Sequence, residues 1–423
     1  MSITTDIPTL IATTRLMSHE GDLTQWVSAE NPLTIVRRGE GFVGLGQALR
    51  LVFSGPERFR DAADTWRALV ASATIEDGIQ LPGSGLMCMG TFAFSDDSSQ
   101  ESVLIVPQVI IGRRGSTSWR TDISLLGSNP SPQTSRPSRP AHFQALEWKP
   151  GLVGQEDYTA RVGEVISRLQ EGHADKVVLA RDLVAHAPGI RDWRGALARL
   201  VESYPDCSTF AVDGLLGSTP ETLARVEGGR LAIRVLAGSR ARGENPAADR
   251  QQSEALVTST KDNDEHRFAV NSVMKSLQVL SAHAVADEHP YALKLANVWH
   301  LATDIEATLS PGVSSLDAVA AIHPSAAVAG SPTATALDII AEMEPFDRGR
   351  YAGPVGWMDA TGDGEWSIAL RCAQWSPQGT LTAYAGAGIV ADSDPESELL
   401  ETRLKFKPVL AAFGSDESPL RPI

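Results

Sequence analysis

Cysteine is scarce in this 423-residue chain: Cys88, Cys207 and Cys372 lie far apart, with no CxxC pair among them. Neither a zinc framework nor a disulfide scaffold can be built from that spacing, and a reducing cytoplasm is the expected compartment. Long apolar runs are missing too. No stretch approaches the roughly 18 consecutive apolar residues of a membrane span. The start, MSITTDIPTLIATTRL, lacks the basic residues, apolar core and cleavage site of a secretory signal. Positive charge is also short, with 37 Lys and Arg against 52 Asp and Glu, a net −15. Such a surface repels nucleic-acid phosphates, so neither nucleic acid nor a membrane surface is expected as a partner. A few buried cations can still build a positive pocket for a small anion.

What is present is a globular composition, 42% hydrophobic and 21% charged. Length alone suggests two or three domains, although large mixed α/β enzymes often form one unit. The clearest break is NPSPQTSRPSRP, residues 129–140, whose four prolines exclude a helix interior or a central strand. It reads as an exposed loop between an N-terminal portion, 1–150, and a C-terminal portion, 151–412. Strand-like runs include Thr34–Arg37, Leu86–Phe94 and Val103–Ile111, with a helical segment at Ala62–Ala73. YTARVGEVISRLQEG is helical in period and is closed by Gly172. Lys176–Leu183 and Ser208–Leu215 read as strands, and Thr222–Val226 pairs with Leu231–Val235 across Glu227-Gly228-Gly229. One long helix is predicted over Asp249–Leu280. Strands follow at Gly353–Met358, Glu365–Ala373 and Leu381–Val390, then a terminal helix at Pro395–Leu410. The chain reads as α+β, with antiparallel hairpins and helices packed outside them.

Several groups could carry chemistry. In SDPESELLETRLKFKPVL, Asp394 suits an N-cap and Pro395 the first helical turn. Glu398, Glu401 and Lys405 then share one helix face. Two carboxylates so placed can hold a hard cation such as Mg²⁺, but a solvated charged face gives the same spacing, and spacing alone favours it. STKDNDEHRF repeats the ambiguity with Asp262 and Glu265. Ala385-Gly386-Ala387-Gly388 lacks the third glycine and helix start of a dinucleotide fingerprint. It fits either a strand end whose bare N–H groups hold a carboxylate or a tight packed bend. Lys176 opens an apolar strand, where snorkelling is the ordinary explanation. Glu221 follows Pro220, and Arg371 interrupts ALRCA, where a buried arginine seeks a carboxylate, its own or a ligand's.

Taken in order, DKVVLARDL, LLGSTPETL, VLAGSRARG, STKDNDEHR, WHLAT, HPSAAVAGSP, EPFDRGRYAGPVGW, GDGEWSIALRCA, YAGAGIV and SELLETRLK resemble the chorismate-utilising enzymes, and among them the isochorismate synthases. The match covers about residues 155–409 and is loose before 150. It implies one structural unit, 1–423, a layered α/β sandwich of antiparallel sheets with helices outside, in which the two portions interleave.

For the site, the resemblance implies chorismate as substrate and Mg²⁺ as cofactor, held by Glu265 and Glu401 with Glu398 direct or through water. Arg371 and Lys405 would hold carboxylate oxygens, aided by backbone at Gly386 and Gly388, with Gly238 and Ser239 beside the ring carboxylate. Water would add at C2 and the C4 hydroxyl leave, with Lys176 as general base, Glu221 as general acid and His300 in support. Ammonia-using relatives typically carry Gln where this chain has Lys176, so no glutaminase subunit is implied. The position of the nucleophilic lysine of aminodeoxychorismate synthases is Ala237. Salicylate synthases, which also eliminate pyruvate, tend to have Thr where Ala327 stands. Tyr351 is Phe in some isochorismate synthases, which leaves room for a lyase side reaction. A salicylate synthase and a non-catalytic chorismate-binding homologue are the alternatives. The resemblance is compatible with a monomer or homodimer. Isochorismate feeds menaquinone, catechol siderophores and salicylate, and no residue here selects among them.

Overall fold

The computed structural model describes residues 8–18, 21–128, 145–187, 192–281, 283–294 and 298–415. The side chains of Ser239, Ala241, Lys261, Glu265 and Val298, and the Pro-rich loop at 129–140, lie outside the described residues. Among those described, the strands form two mainly antiparallel sheets, of thirteen and ten strands. In the larger, Lys176–His186 pairs with Thr380–Ile389, followed by Cys372–Trp375, Leu215–Thr219 and Ser208–Val212. It then continues into strands from the first 150 residues, beginning with Leu33–Arg37 and Glu40–Leu45. In the smaller, Val298–Thr308, Arg230–Ala241, Thr222–Glu227, Gly364–Ile368 and Pro354–Asp359 run side by side and lead into Met87–Thr91. Both sheets therefore mix strands from before and after the Pro-rich segment.

A buried apolar layer that includes Phe92, Phe210, Trp119 and Trp366 joins strands of both sheets. Helices close the outer faces. Gln155–Gln170 buries Tyr158, Val162, Val165 and Leu169, one stripe of a helical surface, against Val177 and Leu179 of the lysine strand. Gly172 ends that segment at φ 82°, a left-handed position that glycine adopts without steric penalty. The terminal helix, Pro395–Ala412, starts as expected, with Asp394 accepting from the Ser397 N–H at 2.9 Å.

Four expected elements are divided, one of them the strand expected over Glu365–Ala373, which is two strands in different sheets, Gly364–Ile368 and Cys372–Trp375. The single long helix over Asp249–Leu280 is two, Pro246–Thr258 and Thr260–Leu277, separated at Ser259. The Ser259 backbone is extended and its hydroxyl accepts from the Asp262 N–H at 3.2 Å, which starts a new helix. Val103–Ile111 is two strands, Ser102–Val106 and Val109–Arg114, in different sheets, with Pro107 between them. Ser208–Leu215 turns at Asp213-Gly214 and returns as Leu215–Thr219.

Two crossings between the sheets lie next to each other. The chain leaves the larger sheet at Thr219 and enters the smaller at Thr222, passing through Glu221. It passes back between Ile368 and Cys372, through Arg371. The crossings are tied by Ile368 N–H to Glu221 O at 3.0 Å and Ser218 N–H to Arg371 O at 3.3 Å. Arg371 sits at φ 49°, a left-handed conformation costing a non-glycine residue about 1 kcal/mol.

A buried ion pair secures the neighbouring wall. Glu344 and Arg348, 7% and 4% exposed, meet at 2.6 Å. Glu344 accepts from the Ala180 N–H at 2.7 Å. Arg348 donates to Val178 O at 2.7 Å and Val328 O at 2.9 Å. Arg348→Met leaves a buried carboxylate without its partner and is expected to cost about 3–5 kcal/mol in urea unfolding. Adding Glu344→Leu removes the unpaired carboxylate and is expected to recover part of that loss, the Ala180 N–H and the Val178 and Val328 carbonyls still lacking these partners; no recovery would show that the unpaired carboxylate is not the source.

Candidate active site

The lysine and glycine strands form one wall. Val178 and Ala180 direct their amides to Ala329 O and Glu344, away from the glycine strand. Their register partners are Gly388 and Gly386. In an antiparallel ladder these are the non-hydrogen-bonded pairs, so the glycine amides face away from the lysine strand. The neighbouring strand ends its pairing at Ala373–Ala383, short of both glycines. The absent side chains matter as well. A Cβ on Gly388 would lie 2.7 Å from Lys176 Cε, and one on Gly386 would lie 3.3 Å from the Tyr351 hydroxyl. Tyr351 is buried and stacks on Tyr384, with ring centroids 5.2 Å apart.

The terminal helix lies across this wall. Lys405 Nζ donates to Gly386 O at 2.8 Å and pairs with Glu401 at 2.5 Å. The expected Glu401–Lys405 pair is therefore present, and it faces inward. Burial lowers the Lys405 ammonium pKa more than Glu401 raises it, and Arg371 and Lys176 lower it further. Glu401 is pushed up by burial, but Lys405, Arg371 and His300 outweigh this and hold it below the ordinary carboxylate range. Glu398, one turn earlier, accepts from Ser393 Oγ at 2.7 Å. Its carboxyl is raised by burial, and the charge of Glu401 adds to the rise.

Glu221 and Arg371 enter from the crossings. Burial raises the Glu221 pKa, and the opposing pull of Lys405, Arg371 and Lys176 does not cancel it. The Arg371 guanidinium is lowered by burial, partly offset by Tyr351, Glu401 and Glu221. The smaller sheet contributes His300, whose pKa falls to about 4 through burial, with Lys176 and Lys405 adding to the fall. Its register partner is Ser239, just past a bulge. Gly238 forms that bulge at φ 74°, with the Asp262 Cβ 3.3 Å from where its own Cβ would stand. Asp262 is accounted for by Arg240, 3.6 Å away.

The structure thus brings Lys176, Glu221, His300, Arg371, Glu401 and Lys405 into one electrostatic group, beside Tyr351, Gly386 and Gly388. Glu265 lies on the helix Thr260–Leu277, which docks through His266 to Ala237 O at 3.1 Å and Thr303 Oγ1 at 2.7 Å. The Glu265 and Ser239 side chains, both expected in the site, lie outside the described residues. Among the described residues no group of three or more His, Cys, Asp or Glu side chains is placed to hold a metal, and no helix is long and apolar enough to cross a membrane.

A cavity of about 280 Å³ opens on Glu221 and Ala327. It is also lined by Ser272 and Ser276 of the helix Thr260–Leu277 and by His323 and Ser325. The sequence string HPSAAVAGSP supplies His323, Ser325 and Ala327, but nothing in it marks a cavity. Glu344 and Arg348 were not expected either, since an acid and a base four apart read as an ordinary surface pair.

The geometry has its counterpart among known proteins. The model of the chorismate binding enzymes matches residues 36–414. The chain belongs to that family. Isochorismate synthase DhbC of Bacillus subtilis is 38% identical over 62% of this chain and 68% of its own. The salicylate biosynthesis isochorismate synthase of Pseudomonas aeruginosa is 31% identical over 94% and 88%. The crystal structure of DhbC from Bacillus anthracis superposes with a TM-score of 0.74 at 30% identity, covering 93% of this chain and 99% of that one. The layered antiparallel architecture is the fold of these enzymes.

Buried histidine makes the protein acid-sensitive in a defined direction. Burial depresses His323 from 6.5 to about 3. As pH falls from 6.5 towards 3, the unfolded chain takes up a proton that the folded one refuses, so stability from this group is lost through that window. Between pH 7 and 4.5, His323→Gln is expected to lose on the order of 2 kcal/mol less unfolding free energy than the parent in urea titrations. Equal losses would mean that the imidazole titrates normally.

Proposed function

We propose that the protein is an isochorismate synthase, converting chorismate to isochorismate by adding water at C2 and expelling the C4 hydroxyl. The observation that carries this reading is the pairing of Lys176 with Glu221. A lysine stands at the water-activating position, and the carboxyl within its field has its pKa raised by burial. An acid that stays protonated can deliver a proton to a leaving hydroxyl. Lys176 accepts the proton of the attacking water, and His300, held neutral by burial, offers a hydrogen bond without adding charge.

Chorismate is a dicarboxylate, and Arg371, Lys405 and the bare amides at Gly386 and Gly388 are its anchors. An ammonium has three donors. Lys405 uses two, on Glu401 and Gly386 O, which leaves one for a substrate oxygen. Glu398 and Glu401 fit a divalent cation in one respect: the Glu398 carboxyl is raised by burial and by the charge of Glu401, and a cation between them would relieve both. These two residues, with Glu265, would hold Mg²⁺, which when bound would supply positive charge to a ring carboxylate. Ala327 offers no hydroxyl beside Glu221, which favours stopping at isochorismate over eliminating pyruvate.

Chorismate supplied with Mg²⁺ is expected to yield isochorismate, with pyruvate no more than a slow by-product. Pyruvate formed as fast as chorismate disappears would make the protein a salicylate synthase, and no turnover at all would make it a binding protein. Activity is expected to vanish in EDTA and in Glu401→Gln; full turnover in either would remove the metal assignment. Lys176→Gln and Glu221→Gln are each expected to lower kcat by about 100–10,000-fold with little change in KM. A mutant that keeps kcat and loses only affinity would make that residue a binding group.

A further inference from the structure

Two histidines, one in the site and one outside it, hold successive carbonyls of a single bulge. The strands Arg230–Ala241 and Val298–Thr308 pair in register as far as Ala237–Leu301. They then slip by one residue, so that Ser239 faces His300 and Gly238 is the extra residue. An extra residue breaks the ladder locally and re-aims the groups beside it. Gly238 takes φ 74°, which glycine adopts without steric penalty. The helix Thr260–Leu277 packs directly on this point: a Cβ on Gly238 would lie 3.3 Å from Asp262 Cβ and 3.5 Å from Asp262 O.

His266, on that helix, is buried and has no part in the chemistry proposed for the site. Its Nδ1 lies 3.1 Å from Ala237 O and its Nε2 lies 2.7 Å from Thr303 Oγ1. A carbonyl can only accept, so Nδ1 carries the hydrogen, and Nε2 of the neutral ring accepts from the Thr303 hydroxyl. Thr303 is the register partner of Val235, two residues before Ala237. The imidazole therefore clamps both strands just short of the slip. Past the slip, the His300 ring bonds to the Gly238 backbone in a way that favours the protonated ring, so the ring donates to the carbonyl. One ring N–H is used there, which leaves the other nitrogen of neutral His300 as an acceptor.

We propose that His266 is a positioning residue for His300: by holding Ala237 O and Thr303 it fixes the bulge, and the Gly238 carbonyl then fixes the His300 ring in one tautomer. The proposal rests on the reading of His300 as part of an isochorismate synthase site. A neutral imidazole without a fixed tautomer presents a donor on one occasion and an acceptor on another. The Gly238 carbonyl removes that choice only while the bulge keeps it in place. The hydrogen bond that His300 makes to substrate is then one it accepts, from a substrate hydroxyl. Gly238 has no side chain with which to hold itself, so the clamp comes from the helix behind it.

The test reads the purified full chain in two ways. Long-range ¹H–¹⁵N spectra of the chain carrying ¹⁵N-histidine distinguish the neutral tautomers, and the signals missing in His300→Ala are those of His300. The parent is expected to show one His300 tautomer at neutral pH, and His266→Phe, which removes both bonds, an average of two. His266→Asn, whose amide can stand near Nδ1 and donate to Ala237 O, is expected to restore the single tautomer. With chorismate and Mg²⁺, His266→Phe is expected to lower kcat about tenfold, and His266→Asn to regain most of it. In a His300→Ala background His266→Phe should cause no further loss, because the group it serves is gone. If His266→Phe does not fold, Thr303→Val and the restoring Thr303→Ser give the same pair of readings. A single tautomer in His266→Phe, an equal loss in His266→Asn, a loss additive with His300→Ala, or a loss confined to KM would overturn the proposal. No chorismate turnover in the parent would instead remove the reading of the site, while the spectra still decide whether His266 fixes His300.

Discussion

The buried pair of Glu344 and Arg348 is the contact on which the site's geometry depends. Glu344 takes the Ala180 amide, and Arg348 takes the Val178 and Val328 carbonyls. These three groups belong to two segments, the lysine strand and the loop that carries Ser325 and Ala327. With Val178 and Ala180 satisfied outward, their partners Gly388 and Gly386 turn their amides the other way. Lys176, two residues before Val178, is held over Gly388 by the same register. A pair of apolar residues could fill the space, but it could not satisfy one amide and two carbonyls at once.

A net charge of −15 and a dicarboxylate substrate make opposite demands, and the fold meets them by local concentration. Lys176, Arg371 and Lys405 converge, and burial lowers the pKa of both Arg371 and Lys405. Each cation is therefore held at some expense that an incoming carboxylate would relieve. Glu401 opposes the lowering of the Lys405 pKa, and Lys405 in turn lowers that of Glu401. The pair differs from an ordinary i,i+4 surface pair in that its lysine also reaches Gly386 O, although the Glu401 side chain keeps 43% of its surface exposed.

Much of the fold was legible in the sequence, because short β-branched strands, glycine turns and helix caps are local signals, whereas the candidate site residues came from the family resemblance and not from those signals. The Glu227-Gly228-Gly229 turn and the Asp394 cap stand where the residues indicate. The break at Ser259 was missed because it has no glycine or proline; its signal is only a local cap, the Ser259 hydroxyl accepting from the Asp262 N–H. Spacing also could not reveal which acidic faces turn inward. Glu398 and Glu401 share a face in any helix, and only the wall behind them decides whether that face meets water. The inward pair Glu344–Arg348 failed to register for the same reason.

The two sheet crossings set Glu221 and Lys176 in different surroundings at short range. Neighbouring side chains on one face of a single sheet share an environment, and two titrating groups there would be shifted alike. Glu221 instead lies where the chain leaves one sheet for the other. It has Lys405, Arg371 and Lys176 in its field and also lines the cavity that holds Ala327. Lys176 lies at the start of a strand, against bare glycine backbone. The Ile368–Glu221 and Ser218–Arg371 bonds lock the crossings side by side, so the acid and the arginine cannot move independently. The different surroundings of the two groups are thus a consequence of topology: Lys176 belongs to a wall and Glu221 to the seam beside it, and burial raises the Glu221 pKa among its own neighbours.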